Sequence, residues 1–64
     1  MNERQAMELL NKLRDGEISE LRVKKDDFSI FRTVLVQRED FKHFRGIAQQ
    51  GGDVIYTYMD QPRS

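Results

Sequence analysis

The sequence predicts a small α+β domain, and three patterns in it carry that prediction. Ala6, Leu9, Leu10 and Leu13 recur at helical spacing. The stretch from Asp53 to Met59 alternates with a period of two. Between them, Phe28 to Gln37 is rich in β-branched and aromatic side chains, which favour a pleated surface. The expected order is α-β-β-α-β, a short antiparallel or mixed sheet with two helices on one face.

The first helix follows from its apolar stripe, because positions i, i+3, i+4 and i+7 fall on one side of an α-helix. Asn2 with Gln5 three residues later forms a capping box, and Gly16 supplies a left-handed residue that ends the helix. Glu8 and Lys12 stand one turn apart and are expected to pair. Ile18 to Lys24 then alternates, with Ser19, Leu21 and Val23 on one face and Glu20, Arg22 and Lys24 on the other, so a first strand is expected there.

Phe28 to Gln37 is expected to be the second strand, because Ile30, Thr33, Val34 and Val36 lose rotamer freedom in a helix. Read instead as a helix, it places Phe28, Phe31 and Leu35 on one stripe. It would then give a helix pair, or one long rod running on through Phe41, Phe44 and Ala48. From Arg38 a second helix is expected, with Phe41, Phe44 and Ala48 as its stripe, Glu39 and Asp40 at its positive end, and Gly51-Gly52 as its stop. Asp53 to Met59 forms the last strand, with Tyr56 and Tyr58 on one face as packing partners. Residues 1–60 form a single domain and 61–64, containing Pro62, a frayed tail.

One further pattern cuts across these elements. Val23 to Arg32 and Val36 to Arg45 share Val, any, basic, acidic, Asp, Phe, two variable, Phe, Arg. The repeat reads as a duplicated binding element, or as an economical way to start two core segments. It also strengthens the helical reading of Phe28 to Gln37.

Composition narrows function chiefly by exclusion. With no Cys and only His43 as imidazole, neither a disulfide nor a zinc or iron cluster is expected, and no cofactor is implied. No serine sits in the setting of an activated nucleophile, and Asp26-Asp27 and Glu39-Asp40 read as caps, so no enzyme is expected. Gly51-Gly52-Asp53 lacks the lysine and hydroxyl of a phosphate loop. His43 is expected on the exposed side of the second helix.

No signal-like or membrane-spanning run occurs, which points to the cytoplasm. Eleven basic side chains balance eleven acidic ones, yet residues 22–45 hold seven basic against four acidic. Arg22, Lys24, Lys25, Arg32, Lys42 and Arg45 alternate there with Phe, a mixture that suits nucleic-acid contact. A pI near 6.6 weighs against that partner.

A chain of 64 residues builds one modest core, and without disulfide or metal the remaining way to reinforce it is association. Apolar side chains on both faces of the expected strands leave Phe31, Leu35, Ile55 and Met59 as a dimer or partner surface. The expected function is a small non-catalytic cytoplasmic interaction or regulatory module, homodimeric by sheet stacking or edge pairing, with an unidentified protein partner; the alternative is nucleic-acid binding.

Overall fold

Helix α1, Glu3–Arg14, begins at the expected cap: Gln5 N–H donates to Asn2 Oδ1 at 2.8 Å and Asn2 N–H to Gln5 Oε1 at 3.0 Å. It ends where Gly16 turns left-handed at φ 79°. The helical ion pair joins Arg4 to Glu8, not Glu8 to Lys12. Strand β1, Leu21–Val23, is shorter than its alternating run but keeps the expected faces, with Val23 fully buried. In the computed structural model residues 1–62 are described.

Two elements differ from the sequence expectation. Phe28 to Gln37 is not a strand: after a 3₁₀ turn at Lys25–Asp27 the chain forms helix α2, Phe28–Val36. Phe31, Val34 and Leu35 sink into the core against Ala6, Leu10 and Leu13 of α1. Burying one continuous stripe outweighs the few tenths of a kcal/mol per residue that β-branching costs a helix. Thr33 donates its hydroxyl to Ser29 C=O one turn back, at 2.9 Å.

The expected second helix is likewise replaced, by a 3₁₀ turn at Phe41–His43 and strand β2, Phe44–Ala48. Gly51 and Gly52, at φ 92° and 98°, form the turn of a hairpin into β3, Val54–Tyr58, where they were expected to stop a helix. Residues 18–37 accordingly supply one strand and one helix, not the two consecutive strands expected. The order is α-β-α-β-β.

The sheet is wholly antiparallel with strand order β1-β3-β2, so β3 is central and β1 and β2 are its edges. Both helices cover the face that carries Val23, Phe44 and Tyr56. Phe31 meets Tyr56 with ring centroids 4.9 Å apart, and Phe44 meets Tyr58 across the strands at 5.0 Å. The ten-residue repeat, its copies offset by thirteen positions, has no structural counterpart. Its first copy starts a helix at Phe28, whereas its second passes from a 3₁₀ turn into a strand at Phe44. Residues 61 and 62 belong to no helix or strand, and the rest of the expected tail lies outside the described residues.

Candidate functional site

Two features of β2 single it out. The first is its free edge. Gln49 N–H donates to Asp53 C=O at 2.7 Å and Met59 N–H to His43 C=O at 2.8 Å, which fixes Arg45 opposite Thr57 and Ile47 opposite Ile55 as the hydrogen-bonded pairs. The polar backbone groups of Gly46 and Ala48, and the C=O of Phe44, therefore point away from β3. The Phe44 N–H turns back to Phe41 C=O. Edge strands are commonly guarded by brevity, Lys or Pro. β1 has three residues and runs into Lys24 and Lys25, whereas β2 has five and carries one charge, Arg45.

The second feature is a groove of about 390 Å³ beside that edge, between α2 and the helix-covered sheet face. Phe28, Arg32 and Val36 recur every fourth residue along its helical wall, Phe41 and Phe44 close one side, and Gly46, Ala48, Val54 and Tyr56 line the sheet side. Gly46 has a packing reason: a Cβ there would meet the Tyr56 ring at 2.9 Å and Val54 Cγ1 at 3.1 Å. Arg32 is the one charged residue in the lining, it is exposed, and it makes no ion pair or hydrogen bond among the described residues.

The opposite sheet face is open and mixed. Arg22, Arg45, Ile47, Ile55 and Thr57 alternate onto it, and Ile47 is 44% exposed. Asp53 holds its edge together, accepting from Lys25 N–H and from Arg22 Nε, each at 3.1 Å. Those two donors lower the Asp53 pKa, the backbone N–H contributing most.

Arg38 forms the densest polar cluster. Its guanidinium grips Asp40 with two bonds of 2.8 and 3.0 Å, donates to Asn11 Oδ1 at 2.8 Å and lies 5.6 Å from the Phe44 ring centroid. The bond from Arg38 holds the Asp40 carboxyl below its usual range. The cluster joins α1 to the segment entering β2. Sequence reading missed it because Asn11, Arg38 and Asp40 converge only through packing of α1 against that segment.

The residues singled out from sequence are divided by the fold. Phe31 and Leu35 are buried core, because residues 28–36 are helical, and they offer no partner surface. Ile55 stands half-buried on the open face, and Met59, also half-buried, follows β3. Of the six cations, Arg22 and Arg45 share the open face with Lys24 just beyond β1, and Arg32 stands at the groove on the other side. Lys25 and Lys42 lie in separate 3₁₀ turns. The aromatic rings of β2 and β3 all face the helices, so no stacking platform accompanies the open-face cations. His43 is half-buried, not free on a helix surface, with Nδ1 2.8 Å from Met59 C=O.

Among the described residues no group of three or more His, Cys, Asp or Glu is placed to hold a metal ion, and no helix is long and apolar enough to cross a membrane. Neither the curated proteins nor the solved structures contain a match to this chain. One family model does match, described as YkzS-like protein, over residues 3–57. That span runs from the first residue of α1 to the penultimate residue of β3, and the chain belongs to the YkzS-like protein family.

Proposed function

We propose that this protein is a small non-catalytic interaction module of the cytoplasm that pairs with a second copy of itself through β2. The observation that carries the reading is the five-residue, nearly uncharged free edge at Phe44–Ala48. Its outward residues Phe44, Gly46 and Ala48 are spaced evenly about Gly46, although the Phe44 N–H is already taken by Phe41 C=O. In an antiparallel pairing centred there, Gly46 exchanges both hydrogen bonds with the partner's Gly46, and Ala48 N–H donates to the C=O of the partner's Phe44. Arg45 then lies opposite the partner's Ile47, where its aliphatic stem covers an exposed apolar side chain. The open face, with Ile47 and Ile55 among Arg22 and Arg45, is left for a further protein partner.

Light scattering on the purified protein tests this. A particle near twice 7.6 kDa is expected at micromolar concentration. Ala48→Pro removes an outward N–H without touching the β3 ladder, and Ile47→Lys sets like charges opposite each other across the pairing; both are expected to give folded monomers by circular dichroism. A monomeric parent protein, or variants that remain dimeric, overturns the β2 pairing. Nucleic-acid contact is the weaker reading, since the cations are split between two faces; mobility shift at low salt is expected to show no complex.

A further inference from the structure

We infer that the groove between α2 and the sheet is a ligand site for an apolar monocarboxylic acid, with Arg32 as its anchor. The groove's wall and floor belong to one chain, so this site goes beyond the pairing through β2 and does not depend on it. Its volume of about 390 Å³ lies in the range of small-molecule sites, which are mostly apolar with a few placed polar groups. The lining has that composition: Phe28, Val36, Phe41 and Phe44 offer hydrocarbon, and the Tyr56 phenol is the only other polar side chain beside Arg32.

Charge decides the ligand class. Arg32 is the single charge in the lining, and no carboxylate of the groove neutralises it. The chain as a whole has equal numbers of basic and acidic side chains, so the positive character of the groove is local. A guanidinium presents paired N–H donors that match both oxygens of one carboxylate. One cation with a mainly hydrocarbon lining therefore suits a monoanion on an apolar chain or ring better than a polyanion. Gly46 and Ala48 keep the sheet side low, and a side chain at position 46 would press on Tyr56 and Val54.

The test uses the full chain labelled with ¹⁵N and decanoate as the probe, below its micelle-forming concentration. Saturable shifts are expected for amides of residues 28, 32, 36, 46, 48 and 56. Arg32→Gln, at an exposed position, is expected to keep the fold and weaken decanoate binding roughly tenfold, the loss of one charge-assisted hydrogen-bonded contact. Decylammonium is expected to bind at least as weakly to the parent protein as decanoate does to Arg32→Gln. Absence of saturable shifts, equal binding of decanoate and decylammonium, an unchanged affinity in Arg32→Gln, or shifts confined to the open face around Ile47 and Ile55 would each overturn the assignment. A short peptide with an apolar C-terminal residue and free carboxylate, if it bound more tightly than decanoate, would also overturn it in favour of a chain terminus. Light scattering of Arg32→Gln reads the β2 pairing separately, and its mass is expected to equal that of the parent.

Discussion

At the scale of single residues, Arg38 carries more of the structure than any other polar side chain described. Only 9% of it is exposed, and it satisfies Asp40 and Asn11 while covering Phe44. Replacing it with Met leaves a carboxylate and a carboxamide unpaired in a partly closed setting. The expected cost is about 2 kcal/mol, read as a lower urea midpoint at unchanged slope. Arg38→Lys is expected to lose most of the same stability, since an ammonium cannot grip Asp40 with two parallel bonds. The double variant Arg38→Met, Asp40→Asn is expected to be less destabilised than the two single changes added together.

The same pair sets a pH dependence. Asp40 and Asp53 both have folded pKa values below their unfolded ones, Asp40 through the Arg38 bond and Asp53 through the Lys25 N–H and then Arg22. Their contribution is fully present above the unfolded carboxylate pKa of about 4 and is lost as pH falls through the depressed folded values. Thermal melts from pH 6 down to pH 2 should show the loss, and Asp40→Asn should flatten it.

At the scale of elements, β2 depends on a residue that intrinsic propensity disfavours. Glycine weakens a strand, so Gly46→Ala would be expected to help if local preference ruled. Here the added Cβ meets a buried Tyr56 ring at 2.9 Å. The substitution is therefore expected to destabilise by about 1 kcal/mol or more in urea unfolding, as overpacking does. The same contest between local preference and packing explains what was legible. For α1, the cap, stripe and left-handed glycine all agree, and the helix appears as read. For Phe28–Val36, β-branching argued for a strand while the spacing of Phe28, Phe31 and Leu35 argued for a helix, and the α1 surface decided it. For Phe44–Ala48, Phe41, Phe44 and Ala48 fit a helical stripe, but Gly46 and the Gly51-Gly52 turn were signals of a hairpin.

At the scale of the whole molecule, a domain of 64 residues has a core worth only ~3–5 kcal/mol net. Pairing through β2 would add to that by mass action. Its melting temperature is expected to rise with protein concentration in the parent and to be independent of it in Ala48→Pro, by scanning calorimetry. The candidate site was only partly legible. Arg32 was recognised as a cation, yet its groove exists only because α2 and β2, separated by the Arg38 loop, come to face each other. The expected surface of Phe31 and Leu35 failed for the same reason, since the helix turns both inward against α1, whereas a strand could have set both on an uncovered sheet face.

By itself the sequence determined the α+β class, α1 with its cap, the alternating faces of β1 and β3, and the lack of Cys, because each rests on neighbouring residues or composition. Only the tertiary structure decided the state of residues 28–48, the order β1-β3-β2, and the groove and free edge of β2. The physical reason is that apolar side chains four apart share one face in a short strand as well as in a helix. Which period prevails depends on the surface they are buried against, and that surface is supplied by residues distant in the chain.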